Sequence, residues 1–340
     1  MKKVTILALV LGLVLAGTTA CAPKDTAKAG SASPEDVLKF LPVDSQGVFF
    51  VDIHRALQTD VANKMIQEDK NYEEYLKFVE ESGIDPKEDI FCAAISLSGS
   101  LAGEQDGAAV INLSYDKDTA LAMIEKKTEA EIQTAEYNGI TVYSIEAKKE
   151  GIEAEEEGNE AEEEGNWAFL DASNIVVGNV KGVQNCIDVM QKTKDNVFQN
   201  EALAGVLDRA DKDTIFWGAL LVPKEDLAKA SEGNPQLKPL QNMSALVLNF
   251  DHKNAMVTIK IKAEGDDPDS NKQIADMLNG LKAMGAMMIP PDKPELNDLL
   301  NSLTVSFGDD HVLIDASIPD EVLQSLKNEL PTKEKEEEIK

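Results

Sequence analysis

The chain has 340 residues, of which 62 are acidic and 33 basic, so its formal net charge is −29 at pH 7. Nucleic acid and anionic lipid headgroups repel a surface of this sign, and the composition therefore disfavours nucleic-acid binding. After the first 20 residues about 300 remain before a charged tail, which is enough for two domains or one large one.

The first segment, residues 1–20, has the pattern of an export signal. Two lysines precede an apolar run over Val4–Gly17, which is shorter than the roughly 20 residues of a membrane-spanning helix. Small residues then lead to Cys21, as in bacterial lipoprotein signals, which this segment resembles. The resemblance implies cleavage before Cys21 and lipidation of its thiol. Ordinary secretory cleavage after Ala20 would instead leave Cys21 as a free thiol.

The composition of the remaining chain indicates four further segments. They are a polar tether at 21–36, a first domain at 37–198, a second domain at 199–330 and a charged tail at 331–340.

Within the first domain, hydrophobic periodicity predicts ten elements, with each hairpin counted as two strands. In chain order these are a strand at 48–53, a helix over about 55–82, strands in 89–99 and 107–115, a helix at 116–127, hairpins in 131–147 and 167–179, and a helix at 180–192. The pair Asn138-Gly139 predicts a tight turn in the first hairpin, because both residues tolerate positive φ angles.

The second domain repeats the order of elements in the first, except for the hairpin in 131–147, which is extra to the first. Its predicted elements are a strand at 214–222, a helix at 224–232, a hairpin in 244–263, a helix at 270–288, a hairpin in 303–318 and a helix at 319–330. The shared order contains βαββαβ, so we predict an α+β protein of two tandem ferredoxin-like domains with mainly antiparallel sheets.

The most conspicuous feature is an acidic insert in the first domain, residues 148–166. The seven residues EAEEEGN occur there twice in succession, from Glu153 and from Glu160. A calcium site needs oxygen ligands at set positions, and the EF-hand spacing is absent. A solvated spacer loop is therefore favoured over a cation site.

Three residues form a candidate catalytic trio. Asp52 and His54 lie two apart in a predicted strand and so share a face, and Cys92 would lie nearby if the strand at 89–97 is adjacent. A hydrolase would use them as a Cys/His/Asp set. A solvent-facing or helix-capping pair is the simpler interpretation. In an oxidising compartment Cys92 and Cys186 are also candidates for a disulfide, although two buried thiols are equally ordinary.

A methionine-rich stripe lies on the helix at 270–288. Its members recur at helical spacing and are Ile274, Met277, Leu281, Met284 and Met288. A core stripe is the commoner explanation. The alternatives are an apolar binding surface or ligand-carrying space built on Met277, Met284 and Met288, or a copper site, which lacks supporting cysteine or histidine ligands.

No other motif indicates a metal or cofactor. The stretch beginning at Asp267 resembles a calcium loop but then has Lys272 where glycine belongs, so Asp269 or Ser270 is expected to cap the following helix instead. His252 and His311 fall in predicted hairpin turns, where a solvated histidine is ordinary. No phosphate loop, HExxH, SxxK or GxSxG motif occurs, so the sequence favours a non-enzymatic protein.

The segment after the tether, which contains Leu41, Pro42 and Asp44, resembles bacterial envelope lipoproteins classed as domains of unknown function. The resemblance implies an envelope location and a duplicated α/β layout, with no activity or site residues. We expect a lipid-anchored binding or structural module facing outside the cytoplasm, with the membrane as one partner through Cys21 and an envelope protein as another. Ala22, where an Asp favours inner-membrane retention, indicates the outer membrane if the cell is Gram-negative.

Overall fold

The computed structural model describes residues 33–67, 72–99, 105–128, 132–145, 165–232, 235–290 and 293–329. The chain forms two compact units, the first ending at Gly205 and the second beginning at Val206. The boundary predicted at 198/199 thus falls slightly early.

The first unit contains seven strands and eight helices among its described residues, counting the helix at its C-terminal end. They are α1 (Pro34–Leu38), β1 (Gly47–Asp52), α2 (Ile53–Leu57), α3 (Asp60–Gln67), α4 (Tyr72–Ser82), α5 (Pro86–Asp89), β2 (Ile90–Gly99), β3 (Gln105–Leu113), α6 (Lys117–Thr128), β4 (Ile132–Tyr137), β5 (Ile140–Ile145), β6 (Gly165–Phe169), β7 (Asn174–Gly178), α7 (Val180–Met190) and α8 (Glu201–Leu207), with a 3₁₀ turn at Val197–Gln199.

These strands form one antiparallel sheet in the order β1-β2-β3-β7-β6-β5-β4. One face carries the buried alternation of side chains, and α7 and α1 pack against that side of the unit. The most completely buried side chains of this unit include those of Val110 and Val176 on the sheet and of Val183 and Ile187 on α7. The predicted turn between β4 and β5 is confirmed, with φ of 49° at Asn138 and 77° at Gly139.

The second unit has five strands and four helices in its described part. They are β8 (Phe216–Leu221), α9 (Lys224–Ser231), a 3₁₀ helix (Pro235–Asn242), β9 (Met243–Lys253), β10 (Met256–Gly265), α10 (Pro268–Met288), α11 (Pro294–Ser302), β11 (Leu303–Phe307), β12 (His311–Pro319) and α12 (Asp320–Glu329).

Its sheet is also antiparallel, in the order β8-β9-β10-β12-β11. One buried cluster joins Ala263 and Val312 of the sheet to Ile274 and Ala275 of α10. A second cluster joins β10 and β12 to α11 and α12. In each of these two clusters, apolar side chains of the helices therefore pack against apolar side chains of the sheet.

The predicted combination of helices with mainly antiparallel sheets is confirmed, whereas the ferredoxin-like arrangement is not. A βαβ unit joins parallel strands. Here β1 pairs directly with β2 in the antiparallel sense, although helices connect them.

The long helix predicted over 55–82 is instead three helices. Thr59 explains the first break, because its hydroxyl accepts from the backbone N–H of Ala62 at 3.2 Å and so begins α3 as a cap. The predicted acidic insert at 148–166 also overlaps β6, which begins at Gly165.

Candidate functional site: the exposed face of helix α10

Helix α10 begins at a side-chain cap. The carboxylate of Asp267 accepts from the backbone N–H of Asp269 at 3.2 Å and from the hydroxyl of Ser270 at 2.5 Å. Pro268 occupies the first helical position, where its missing N–H costs nothing. The cap is thus Asp267 and not Asp269 or Ser270 as predicted. Its carboxylate is used within the fold.

The first half of α10 is anchored in the core of the second unit. Ile274 is 3% exposed and Ala275 is 1% exposed, and Leu278 packs against the same cluster. The amide of Asn271, also buried, donates to the carbonyl oxygen of Gly265 at 3.0 Å. These contacts fix the direction in which every later side chain of the helix points.

The second half of α10 lies along the outer edge of β11. The ammonium group of Lys282 donates to the carbonyl oxygen of Leu303, and the amide of Asn279 approaches the carbonyl oxygen of Val305 at 3.4 Å. An edge strand otherwise presents unpaired backbone groups that recruit other strands. Lys282 is also the only charged residue between 277 and 290.

The remaining face of this half is apolar and open to solvent. Leu281 is 57% exposed, Met284 59%, Met287 83% and Met288 81%. Soluble proteins seldom leave contiguous large apolar side chains uncovered unless the patch binds something. These residues form the largest group of exposed large apolar side chains on any one described element.

The core interpretation of the methionine stripe is therefore wrong for its C-terminal half. At 100° per residue, the stripe lies roughly 110° around the helix from the face that contains Leu278 and Lys282. Ile274 and Met277 stay near the sheet because the core reaches them, whereas Met284 and Met288 extend beyond it. The periodicity of the sequence predicted the stripe correctly, but it could not predict whether the stripe faces the core or the solvent.

The spacing of the stripe carries more information than its composition. Met277, Leu281, Met284 and Met288 are separated by four, three and four residues. This is the a/d repeat of a coiled-coil seam, in which each side chain inserts between side chains of a facing helix. We call these four residues the α10 seam. It is a signal that sequence reasoning could have used.

The candidate catalytic trio is not assembled. β1 ends at Asp52, and His54 belongs to α2 rather than to the strand. The ring of His54 lies 6.3 Å from that of Phe91, and its buried Nδ1 has no hydrogen-bond partner among the described residues. Asp52 does lie opposite Cys92 in the register, but its carboxylate caps α2 by accepting from the N–H of Arg55 at 2.9 Å.

The two described cysteines are free and buried, so the candidate Cys92–Cys186 disulfide is not formed in the structure. Burial raises the pKa of the Cys92 thiol to about 12, and the nearby carboxylate of Asp52 adds to the effect. Burial likewise raises the pKa of Cys186 to about 12. Both thiols are therefore protonated at neutral pH, which removes their nucleophilic form.

The second unit also has a shallow charged depression, of about 270 Å³, lined by residues that include Arg209, Lys262 and Glu264. Its charges are already paired, because Nε of Arg209 lies 2.6 Å from Oε1 of Glu264, and Nζ of Lys262 lies 3.6 Å from the same oxygen. Both cationic side chains of the depression are thus already paired with a carboxylate, and none of its lining residues has an apolar side chain.

Neither histidine of the second unit is in a solvated turn as expected. Both carboxylate oxygens of Asp320 accept from Nε2 of His252, at 2.8 and 3.0 Å, and the histidine side chain is only 10% exposed. His311 begins β12 and lies 2.6 Å from the carboxylate of Asp310. Across the described ranges, no group of three or more histidine, cysteine or acidic side chains is placed to hold a metal ion.

Two features of the sequence lie outside the described residues: Cys21, and the acidic repeat from Glu153 to Asn166 except for its last two positions. Among the helices that the structure describes, none combines the length and apolar character needed to cross a membrane.

No protein-family model matches the chain, and no curated protein sequence is similar to it. Among solved structures, three crystal forms of the Treponema protein TP0453 are similar. Form III has a TM-score of 0.47 at 11% identity and covers 89% of this chain and 100% of that chain. Form I has a TM-score of 0.40 at 11% identity, covering 89% and 99%, and form IV has 0.44 at 9%, covering 86% and 96%. With every TM-score below 0.5, this likeness decides neither fold nor function.

Proposed function

We propose that this protein is a lipid-anchored, non-enzymatic binding module of the bacterial envelope, and that it binds a partner helix through the α10 seam. The anchor is the lipid on Cys21, which follows the signal-like segment 1–20. The observation that carries the binding role is the exposure of Leu281, Met284 and Met288 in an a/d repeat.

A helix fits this surface better than a small apolar ligand does. Ligand carriers enclose their cargo in a concave, largely buried space. The sheet-facing side of α10 is filled by Ile274, Ala275 and Leu278, and the seam is on the convex, outward side of the helix. Methionine side chains adapt their shape to a facing surface, which suits contact with another helix.

The geometry gives no support to the hydrolase alternative. The Cys92 thiol is protonated at neutral pH, and the buried Nδ1 of His54 has no hydrogen-bond partner among the described residues. Asp52 is already committed to capping α2.

The binding role is tested by placing a photo-activatable phenylalanine analogue at Met284 and, as a matched control, at Ala286. Both positions are exposed, and Ala286 is on the opposite side of the helix. In intact envelopes we expect position 284 to crosslink to a peptide from a helical segment and position 286 to give no such product. Equal labelling at both positions contradicts a seam-directed role.

The anchor is tested separately by the mass of the N-terminal fragment and by Cys21→Ser. We expect a lipid-sized mass increase on Cys21 in the wild type and release of the variant into the soluble fraction. A mature wild-type protein with unmodified Cys21 overturns the anchor but leaves the seam to be judged by its own crosslinks.

A further inference from the structure

We propose that the helix that binds the α10 seam is α10 of a second copy of this chain, in a two-fold, antiparallel pair. This inference rests on the proposed function, since it names the partner of the same surface. Three features of α10 support it: the uncharged positions that flank the seam, an open glycine beside it, and the length of the seam.

The positions flanking the seam carry no charge. With Leu281 and Met288 at a, and Met277 and Met284 at d, the e and g positions that border them are Gln273, Leu278, Gly280, Gly285 and Met287. Charged e and g residues normally select the partner, and like charges there repel in a homodimer. A chain with net charge −29 therefore meets its own copy along α10 without direct repulsion.

Gly280 gives a second, independent indication. A glycine inside a helix costs up to about 1 kcal/mol relative to alanine. The described residues do not require it, because a Cβ at position 280 would meet none of their atoms within 4 Å. Gly280 borders the seam at a g position, where the absence of a side chain lets a second helix approach closely.

An antiparallel pair suits both the geometry and the electrostatics. Four seam residues over Met277–Met288 span about 18 Å, so Leu281 of one copy faces Met284 of the other, and Met277 faces Met288. Antiparallel helices also place opposite ends of their dipoles together. Isologous two-fold contacts of this kind are the commonest form of self-association.

A bilayer surface fits the seam less well. Helices that lie in the membrane interface carry lysine and arginine along their polar face. Between residues 277 and 290 the only basic residue is Lys282, and its ammonium group donates to the Leu303 carbonyl oxygen. The acidic chain would in addition be repelled by anionic lipid.

The seam is short, and the dimer is correspondingly weak in solution. Stable interfaces bury about 800 Å² per partner, more than four side chains supply. Two copies held on one membrane surface by lipid have a raised effective concentration, which favours the pair without any further contact.

The test uses the full protein in its own membranes, in two differently tagged copies. Leu281→Cys in one copy and Met284→Cys in the other form the probe pair, because these positions face each other, and Ala286→Cys replaces Met284→Cys in the control pair. The native thiols of Cys92 and Cys186 are buried and protonated, so the introduced thiols are the reactive ones among the described residues. Mild oxidation is expected to give a disulfide dimer containing both tags at least about tenfold more abundant for the probe pair than for the control pair.

A second readout is the dimer dissociation constant of the mature protein in detergent, measured by sedimentation. Leu281→Asp is expected to raise it by about tenfold or more, because a charge would be buried in the seam, and Ala283→Asp is expected to leave it unchanged. Raising salt from 0.05 to 0.5 M should tighten the wild-type dimer roughly threefold by screening the net negative charge.

The outcomes separate this inference from the proposed function. Photo-crosslinks from position 284 to a helix of a different protein, with no self-crosslink, overturn the homodimer and leave the binding role standing. Labelling of lipid alone at position 284, or equal disulfide yields from the probe and control pairs with no other partner, overturns both.

Discussion

The two units are versions of one plan, and they differ most in how each closes the outer edge of its sheet. The order β1-β2-β3-β7-β6 in the first corresponds to β8-β9-β10-β12-β11 in the second. In the first unit, β6 pairs with β5, so the extra hairpin β4–β5 extends the sheet beyond β6. In the described part of the second unit, β11 is the edge strand. Its backbone carbonyl oxygens accept hydrogen bonds from side chains of α10.

This difference accounts for the exposure of the α10 seam. The helix that corresponds to α10 in the first unit is α6, which has 12 residues against 21. The additional turns of α10 run beside β11 and carry Lys282 to its edge. The same turns extend past the core, so none of the described residues covers their outer face.

A hydrogen bond at the start of the helix that follows the last strand, α7 in the first unit and α12 in the second, also occurs in both units. The N–H of Asn179 donates to the carbonyl oxygen of Gly107 at 3.2 Å, and the N–H of Asp320 donates to that of Ala255 at 3.0 Å. Around this shared bond the first unit uses close-packed glycines, whereas the second uses the Asp320–His252 pair.

The largest expected effect is at the glycine contact of the first unit. A Cβ on Gly182 would lie 2.3 Å from the carbonyl oxygen of Gly107, so Gly182→Ala must push α7 off β3. We expect a loss of about 3 kcal/mol in unfolding free energy, measured by denaturant titration. Gly205→Ala is the control, since a Cβ there meets nothing within 4 Å, and it should stabilise by about 0.5–1 kcal/mol. Equal effects of the two substitutions would contradict the close contact.

In the second unit the corresponding position depends on a polar pair. His252→Ala leaves the carboxylate of Asp320, whose side chain is 11% exposed, without its partner. The expected loss is about 2 kcal/mol, as for hydrogen bonds to charged groups. His311→Ala, which breaks a pair with the exposed Asp310, should change stability far less than His252→Ala does. A double-mutant cycle with Asp320→Ala that shows no coupling would exclude the pair as the cause.

A smaller effect is expected at the edge of β11. Lys282→Met removes the donor to the Leu303 carbonyl oxygen and should cost about 1 kcal/mol. Amide hydrogen exchange in β11 and β12 should accelerate by the factor that this loss of free energy implies. Lys272→Met, which loses only an exposed helical ion pair with Asp276, serves as the control and should leave exchange in β11 unchanged. Unaltered exchange in the Lys282 variant would show that the helix does not protect the edge.

The smallest expected effect is a titration in the β11–β12 turn. Hydrogen bonding from His311, followed by attraction to Lys262, lowers the pKa of the Asp310 carboxyl below its ordinary value. A lowered folded-state pKa stabilises above the unfolded value, and this contribution is lost as pH falls through the folded value. His311→Ala should therefore raise the Asp310 pKa in an NMR titration, while His252→Ala leaves it where it is. If the Asp310 pKa is the same in the His311→Ala variant, then Lys262 and not His311 causes the lowering.

Local patterns predicted the elements well because the information lies in neighbouring residues. The hairpin of β9 and β10 and the turn at Asn138-Gly139 are examples, and both are present as expected. The sheet order was not predictable, because a helix between two strands permits either a crossover or a direct antiparallel return. The exposure of Met284 and Met288 was likewise hidden, since a stripe at helical spacing has the same sequence whether it faces a core or a partner.

The strand orders also have a consequence for how each unit folds. Every pairing in the first sheet joins neighbours along the chain except β3 with β7, where Asn112 meets Asn174 across a long connection. In the second, β10 with β12 is the corresponding case, and Glu264 meets His311 across a shorter one. Loop closure costs more entropy for longer connections, and non-local pairing is what slows folding. The hairpins are thus expected to form first, and the joining of β12 to β10 is expected to precede that of β7 to β3, so the second unit becomes native while the first is still incomplete.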